Sequence, residues 1–246
     1  MEEHAPKIKK YECIYYYIDC SGYCENPKEI YSEFCNGIAT RQVNITDGKM
    51  EASSKYDILY DGGFCDLDMS ESIEINKDVF EEKWIASGGK EQLLFGKGNA
   101  AEPCLSKVII CHIVNNKAKW GKGFVTSLNK SYPLAKEEYL KFCSMYDAET
   151  LLGKVFFYKV RDGLYIANVF SQDGYKKNRK DENRYIKYDV LEVCLEKVAY
   201  FSLINRFSIQ MPRIGAGLGG GEWSVIEEII KEKICYYGIA CKVLDF

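Results

Sequence analysis

The chain has 246 residues, of which 47% are hydrophobic and 14% aromatic, and its formal net charge at pH 7 is −3. A chain of this length and composition folds around one large core or two smaller ones, which excludes extended disorder. The small net charge favours neither nucleic acid nor an anionic membrane as a partner. The longest apolar stretch, residues 108–114, is far shorter than the roughly 20 residues that span a bilayer.

The first ten residues, MEEHAPKIKK, are charged and have no apolar segment behind them. We therefore expect no secretory signal and a soluble, cytoplasmic protein. The eleven cysteines include no C-x-x-C pair, so reduced thiols are expected. Cys13, Cys20, Cys24 and Cys35 lie close together in the sequence, but without the repeated pairs of a zinc site, and we predict no metal.

Residues 1–88 predict a small α+β accessory domain. YECIYYYID and EIYSEFC have strand character, and ATRQVNIT and MEASS flank an Asp-Gly turn typical of a hairpin. An amphipathic helix is expected within SESIEINKDVFEEKWIAS, because Val79, Phe80, Lys83 and Trp84 have helical spacing. The glycines at 88 and 89 then end this helix.

Strands and helices alternate through residues 89–246. Strand candidates are EQLLFGKG, KVIICHIVN, KVFFYKV, LYIANVF, FSIQMPRI and CKVLDF. Helices are expected after GKG, at residues 134–143, at residues 185–201 and in WSVIEEIIKEKI, where Trp223, Ile226, Ile229 and Ile230 are predicted to face inward. This alternation indicates an α/β domain with a mixed sheet and helices on both faces.

A glycine-rich loop gives the most specific local pattern. In QMPRIGAGLGGGEW a strand runs into a loop with five glycines in seven positions, and a helix follows directly. Backbone N–H groups in such a loop, with the helix N-terminus, can hold a phosphate or diphosphate. Gly215, Gly217 and Gly220 also match G-x-G-x-x-G, but the chain ends one strand later, so a Rossmann dinucleotide site is disfavoured.

A second glycine loop, NNKAKWGKGFVTSL, follows the buried strand in the same strand–loop–helix order. Two such loops at one sheet edge suit a ligand with a diphosphate. Asn115 and Asn116 leave that strand, where they are equally suited to a sugar hydroxyl or to a turn.

Five collinear segments resemble a macro domain: GKGNAAEP, CHIVNNKAKWGKGFVTSLNKSYP, LYIANVFSQ, MPRIGAGLGGGEW and VLDF. The resemblance covers residues 89–246 and is strongest to the branch of ADP-ribose 1''-phosphate phosphatases and terminal ADP-ribose glycohydrolases. There, H-x-x-N precedes W-G-x-G, and P-R-I-G-x-G-L follows later. The resemblance implies a three-layer αβα fold that binds ADP-ribose at the strand ends, without a cofactor.

The resemblance also implies binding residues. Gly98 and Asn99 would lie at the adenine with Leu244 or Phe246, and Asn115 and Gln172 at the distal ribose. One diphosphate loop would comprise Lys119, Trp120, Gly121, Lys122, Gly123 and Phe124, and the other Ile214, Gly215, Ala216, Gly217, Leu218 and Gly219.

Three positions depart from the family pattern. Asn99 replaces the usual aspartate that accepts the adenine amino hydrogens, and an amide oxygen accepts them more weakly. Ser131, next to Lys130, and Gly219 stand where the glycohydrolases have their lysine and aspartate, which disfavours catalysis through a lysine adduct.

His112 begins H-x-x-N and is the candidate general base, because its side chain titrates near neutral pH. A core imidazole is the equally weighted alternative. Asp173 is the second catalytic candidate, as a base or as a partner of His112, with a turn aspartate as its alternative.

We expect the protein to bind ADP-ribose or ADP-ribose 1''-phosphate and to hydrolyse such a derivative. The alternatives are a non-catalytic reader of ADP-ribose, or an antitoxin-like protein that removes ADP-ribose from protein or nucleic acid. Residues 1–88 weakly resemble a small bacterial domain of unknown function and leave open a protein partner. Lys176, Lys177, Arg179 and Lys180 form a basic run that is more typical of a solvated loop than of a polymer contact.

Overall fold

The computed structural model describes residues 13–22, 27–35, 38–54, 70–88, 93–178 and 180–245. The chain forms two compact units, Met1–Lys90 and Glu91–Phe246. Within the described residues, every helix is too short or too polar to cross a membrane.

The N-terminal unit is an antiparallel sheet with one helix against it. Its strands are β1 (Cys13–Asp19), β2 (Glu29–Cys35), β3 (Ile38–Thr46), β4 (Lys49–Ser54) and β5 (Ile73–Ile75), in the order β4-β3-β2-β1-β5. Helix α1 (Lys77–Ala86) begins at an Asn76 cap and buries Phe80 and Trp84. The predicted α+β class is therefore confirmed, and β5 is a strand that the sequence analysis did not predict.

A buried ion cluster lies between this sheet and α1. Arg41, 5% exposed, donates from Nη2 to Glu33, which is fully buried, and to Glu81 at 2.6 Å. Burial alone would lower the pKa of Arg41, but the hydrogen bonds that it donates to these two carboxylates raise it above its usual value. Thr40 also donates to Glu33 at 2.6 Å, so both carboxylate oxygens of Glu33 are partnered.

Cys13, on β1, corrects one expectation. It is disulfide-bonded rather than a free thiol, which also removes it from any zinc site. Free thiols are present at Cys104, Cys111, Cys143, Cys194 and Cys241.

The C-terminal unit is a mixed sheet between two helical layers. Its strands are β6 (Leu93–Lys97), β7 (Val108–Asn115), β8 (Val155–Arg161), β9 (Leu164–Gln172), β10 (Ser208–Met211) and β11 (Cys241–Asp245), in the order β6-β11-β10-β7-β9-β8. All neighbours pair in parallel except β8, which is antiparallel to β9. The helices are α2 (Val125–Ser131), α3 (Pro133–Cys143), α4 (Ala148–Leu151), α5 (Tyr188–Asn205) and α6 (Trp223–Lys233).

The alternation of side chains along β7 places helices on both faces of the sheet. Val108 and Ile110 pack with Leu128 of α2. Cys111 points to the opposite face, where it lies near Cys194 of α5. The predicted three-layer αβα class is therefore confirmed.

The structure differs from the sequence predictions in two details, the start of the long helix and the burial of Trp223. The long helix begins at Tyr188 rather than at residue 185, because residues 173–178 and 180–187 form loop structure with its own hydrogen bonds. In α6, Ile226, Ile229 and Ile230 are buried as predicted, but Trp223 is only half-buried. Its indole Nε1 donates to Glu227 at 2.8 Å, so the polar end of this side chain is satisfied near the surface.

Candidate functional site

A cleft of about 860 Å³ lies at the carboxyl ends of β7, β9 and β10. The loops that follow these three parallel strands supply its walls, as is usual for ligand sites in open α/β sheets. One wall is the first glycine loop, residues 119–124. The facing wall is the second glycine loop, residues 214–219, and the segment after β9 closes one end.

Asn115 shapes the first glycine loop. Its side-chain Oδ1 accepts from the N–H groups of Lys117 and Lys119, each at 3.1 Å, and Nδ2 donates to the Lys119 carbonyl at 2.8 Å. The side chain therefore holds the turn that precedes the loop. One amide hydrogen of Asn115 remains for a ligand, since the residue lines the cleft.

Close packing explains the glycines of the second loop. Gly215 has φ +72, and a Cβ there would overlap the Cδ1 atom of Ile186. Its carbonyl accepts from Gly221 N–H at 2.9 Å, which closes the loop. The carbonyl of Gly219 accepts from the N–H groups of Tyr185 and Ile186, so the loop is tied to the segment after β9.

The charges around the cleft have one sign. None of the described residues that line it is an aspartate or glutamate, whereas the cations are Lys119, Lys122, Lys176, Lys177 and Arg213. A concave surface lined by cations raises the local concentration of anions. Together with two loops of backbone N–H groups, this arrangement selects a ligand with several negative charges.

His112 lies beneath the first glycine loop, 2% exposed, and lines the cleft floor. Its Nε2 lies 2.9 Å from Asn168 Oδ1. Asn168 Nδ2 donates to the Phe156 carbonyl, which orients the amide, so we assign the hydrogen of His112 to Nε2. Its Nδ1 then carries the lone pair and makes no hydrogen bond of good geometry with the described residues.

The surroundings of His112 keep it neutral. Its ring packs edge-on against Trp120, with ring centres 5.6 Å apart, and against Phe124 at 5.8 Å. Burial lowers the pKa of His112 to about 4, against the raising effects of the Asn168 hydrogen bond and of the Ile113 backbone. At neutral pH the imidazole can therefore accept a hydrogen bond, but it is a weaker base than a solvated histidine.

Asp173 does not partner His112, which corrects that prediction. Its Oδ1 accepts from Asn116 Nδ2 at 3.0 Å, and the described lining of the cleft does not include it. Asn116 Oδ1 in turn accepts from Gly174 N–H at 2.9 Å. Asn116 and Asp173 therefore connect the loops after β7 and β9. Both side chains have a structural role in a loop, as in the alternative that the sequence analysis gave for each residue.

The other predicted binding residues divide into two sets. In addition to Asn115, those that line the cleft are Lys119, Trp120, Gly121, Lys122, Gly123, Phe124, Gln172, Ile214, Gly215, Gly217, Leu218 and Gly219. Those outside its lining are Gly98, Asn99, Ala216 and Leu244, while Phe246 lies outside the described residues.

Asn99 has a local role in the structure. Its Nδ2 donates to Glu102 at 2.9 Å and its Oδ1 accepts from Ala101 N–H at 3.1 Å. Both ends of the amide are therefore used within its own turn. Its contact with adenine stays a prediction, and each end of the amide has capacity for one further hydrogen bond.

The sequence analysis missed an aromatic and cationic group beside the second glycine loop. The Cζ atom of Arg213 lies 5.4 Å from the ring centre of Phe95 and 4.8 Å from that of Trp223. Its Nε donates to Asp245 at 2.7 Å. The sequence contained one signal for this group, an arginine close to the end of a strand. The aromatic partners could not be identified, because they are distant in sequence.

Comparisons with known proteins agree with this geometry. No family model matches the sequence. The ADP-ribose 1''-phosphate phosphatase of Candida albicans is 26% identical over 137 residues, which cover 54% of this chain and 85% of that protein.

Two solved structures are similar at the level of fold and sequence. A Bacteroides thetaiotaomicron protein of unknown function is 39% identical with a TM-score of 0.57, covering 63% of this chain and 98% of that one. A macrodomain protein from Streptomyces coelicolor is 28% identical with a TM-score of 0.53, covering 63% and 99%.

Fold, cleft and comparisons define the class of the C-terminal unit as a three-layer αβα domain with an anion-binding cleft at the carboxyl edge of its sheet. The C-terminal unit is a macro domain.

Proposed function

We propose that the macro domain binds ADP-ribose in the cleft and hydrolyses an ADP-ribose derivative, with ADP-ribose 1''-phosphate as the first candidate substrate. The observation that carries this proposal is the pair of facing glycine loops in a cleft with five cationic side chains. The name of the Candida albicans relative supports the choice of substrate.

The ligand would lie along the sheet edge. Its diphosphate fits between the two glycine loops, where backbone N–H groups and Lys119 or Lys122 face it. Its adenine would extend toward β11 and β6, where Phe95 and Trp223 supply apolar faces. The distal ribose would then lie over β7 and β9, beside Asn115 and Gln172.

Hydrolysis at this end needs a positioned water and stabilised negative charge. His112 Nδ1 is an acceptor that can orient the water, with Asn168 fixing the ring and its tautomer. Because the His112 imidazole is a weak base, most of the rate enhancement is assigned to the cationic walls and the loop N–H groups.

Titration calorimetry of the full chain with ADP-ribose tests the binding step, with NAD as the comparison ligand. We expect a dissociation constant near micromolar, about −8 kcal/mol, and weaker binding of NAD. Release of inorganic phosphate from ADP-ribose 1''-phosphate then tests the reaction. A folded protein that gives no heat with ADP-ribose would contradict the ligand assignment.

A substitution in the second glycine loop separates binding from folding. Gly217 has no positive φ, and a Cβ there meets no atom within 4 Å, so Gly217→Leu should fold while its side chain fills the cleft. We expect ADP-ribose affinity to fall at least about a hundredfold, nearly 3 kcal/mol. Gly22→Leu is the matched control, because Gly22 is equally open and lies in the N-terminal unit. Equal affinities for both variants would place the ligand elsewhere.

A non-catalytic reader of ADP-ribose is the second candidate function. The pKa of about 4 at His112 and the lack of a carboxylate among the described lining residues favour it. A wild-type chain that binds ADP-ribose but releases no phosphate would identify the reader. Removal of ADP-ribose from a macromolecule is a third outcome, measured on ADP-ribosylated protein.

We also propose that the protein acts in the cytoplasm. Five described cysteines, Cys104, Cys111, Cys143, Cys194 and Cys241, are free thiols, whereas Cys13 is disulfide-bonded. Because a reducing compartment preserves thiols, the free cysteines support this location. The N-terminal unit is proposed as a module that contacts a protein partner, which co-purification with and without residues 1–88 would test.

A further inference from the structure

The two ends of the cleft differ in chemistry. Toward β11 and β6, the guanidinium of Arg213 stacks on two aromatic rings. At the opposite end, beyond β7, the lining residues after β9 are Gln172, Tyr175, Lys176 and Lys177. A ligand held at its diphosphate by the glycine loops therefore meets an aromatic end on one side and a cationic end on the other.

The cationic end belongs to a segment that a single carboxylate organises. The segment covers residues 175–185, of which Arg179 lies outside the described residues. Asp181 accepts from Lys177 N–H at 3.1 Å, from Asn183 N–H and Nδ2 at 3.2 and 3.0 Å, and from the Tyr185 hydroxyl at 2.7 Å. The start and the end of the segment are thus joined through one side chain.

The carboxylate of Asp181 is charged at neutral pH. The hydrogen bond from the Tyr185 hydroxyl, followed by that from Lys177 N–H, lowers the pKa of Asp181 to about 2. Asp181 is therefore ionised at neutral pH, and its hydrogen bonds are charge-assisted.

The base of the segment is fixed to the sheet and to the second glycine loop. Gln172 Nε2 donates to the Gly174 carbonyl at 3.0 Å. Asp173 N–H donates to the Tyr185 carbonyl, and Tyr185 N–H donates to the Gly219 carbonyl, both at 2.9 Å. The two lysines are therefore carried by a backbone with a defined place beside the diphosphate loops.

Lys176 and Lys177 differ in position from Lys180 and Lys187, two other cations of the same loop. Lys180 and Lys187 are exposed and are not part of the cleft lining, whereas Lys176 and Lys177 line it. ADP-ribose itself ends in a neutral ribose at this side, so two cations there exceed what that ligand needs.

We propose that Lys176 and Lys177 form a subsite for a phosphate monoester at the end of the ligand away from its base, and that Asp181 is the positioning residue of this subsite. This inference rests on the proposed function, because the diphosphate must lie between the glycine loops for the far end to reach the lysines. It assigns the residues that distinguish ADP-ribose 1''-phosphate from ADP-ribose.

The test compares two ligands on the full chain. ADP-ribose affinity is measured by calorimetry, and the 1''-phosphate by the KM of phosphate release, or by its dissociation constant if no phosphate is released. For Lys176→Gln/Lys177→Gln we expect the 1''-phosphate constant to rise about tenfold or more, as expected for loss of charge-assisted hydrogen bonds. The ADP-ribose constant should change less than about threefold. The arginine pair at both positions should restore most of the difference.

Lys180→Gln/Lys187→Gln is the matched control, because it removes the same charge from the same loop outside the cleft. It should leave both ligand constants unchanged. If this control weakens the 1''-phosphate as much as the Lys176 and Lys177 pair does, only the general field of the loop is involved and the subsite is wrong. Equal losses for both ligands in the Lys176 and Lys177 pair would also overturn it.

Asp181→Asn tests the positioning role. It removes no cation, yet we expect it to raise the 1''-phosphate constant several-fold with little effect on ADP-ribose, since a neutral amide forms weaker hydrogen bonds. Asp189→Asn, an exposed residue at the start of α5, controls for the charge change. An unaltered constant in Asp181→Asn contradicts the positioning role. A wild-type protein that binds neither ligand contradicts the proposed function itself.

Discussion

Each unit of the chain contains an arginine that is stacked on two aromatic rings and paired with an acid, and the two differ in exposure. The Cζ atom of Arg41 lies 4.9 and 5.2 Å from the ring centres of Phe80 and Trp84. Arg213 is stacked at similar distances in the C-terminal unit. The side chain of Arg41 is 6% exposed, whereas that of Arg213 is 39% exposed.

This difference in exposure assigns different roles to the same arrangement. Arg41 is enclosed by Glu33, Thr40 and Glu81, whose hydrogen bonds stay within the N-terminal unit. Arg213 makes one carboxylate contact, to Asp245, and lines the cleft. A buried cluster with all its partners inside the unit stabilises the fold, while an exposed cation beside an anion site remains available to a ligand.

The largest effect that separates the two roles is expected at Arg41. Arg41→Met leaves the carboxylate of Glu33 buried without its cation, and loss of one partner of such a pair costs about 3–5 kcal/mol. The free energy of unfolding of the N-terminal unit should fall by this amount. Hydrogen exchange of the β3 backbone amides in the full chain measures it.

Glu81→Gln is the control for the Arg41 variant. Its side chain is 30% exposed, so water can solvate the altered group, and the loss should stay below about 1 kcal/mol. If Glu81→Gln lowered the free energy of unfolding as much as Arg41→Met does, exposure would not decide the role of these residues. The comparison of Arg41 with Arg213 would then be contradicted.

An intermediate effect is expected from His112, a buried titratable group of the macro domain. In the unfolded chain its pKa takes the ordinary value of 6.5, while in the fold it is about 4. Between these values only the unfolded chain binds the proton, so stability falls as the pH falls. From pH 7 to pH 5 the loss due to His112 is about 2 kcal/mol.

Urea denaturation at pH 7 and pH 5, followed by tryptophan fluorescence, measures this loss. His112→Gln should lose about 2 kcal/mol less than the wild type over the same interval, since glutamine does not titrate. An identical pH dependence in both proteins would show that the pKa of His112 is the same in the folded and the unfolded chain, and the lowering of this pKa by burial would be wrong.

The sequence was sufficient to predict the order of the strands of the macro domain and of its helices except the four-residue α4, because the strands are apolar runs and the longer helices have clear periods. The start of the long helix was placed too early, since Tyr185 and Ile186 donate their backbone hydrogens to Gly219 instead of forming a helical turn. Strand β5 was missed because three residues without alternation give no strand pattern.

In the site, too, the sequence predicted only features formed by residues that are neighbours along the chain. The glycine loops were found because each is a continuous stretch of sequence. The partner of His112 was not, because Asn168 is adjacent only through the pairing of β7 with β9. Asp181 was not singled out from the sequence, because only its hydrogen bonds distinguish it from its neighbours.

The smallest effect is expected at Arg213. Arg213→Met retains an apolar side chain between the rings, and the loss of an exposed ion pair costs less than about 1 kcal/mol of stability. ADP-ribose affinity should nevertheless fall several-fold, because Arg213 lines the cleft directly before the second glycine loop, where the diphosphate is proposed to bind. Arg184→Met is the matched control, since the Cζ atom of Arg184 stacks on Tyr188 at 4.7 Å but the residue does not line the cleft. The two variants should have similar stabilities and different affinities. If their affinities are also equal, Arg213 does not contribute to ADP-ribose binding, and exposure next to the cleft carries no functional meaning.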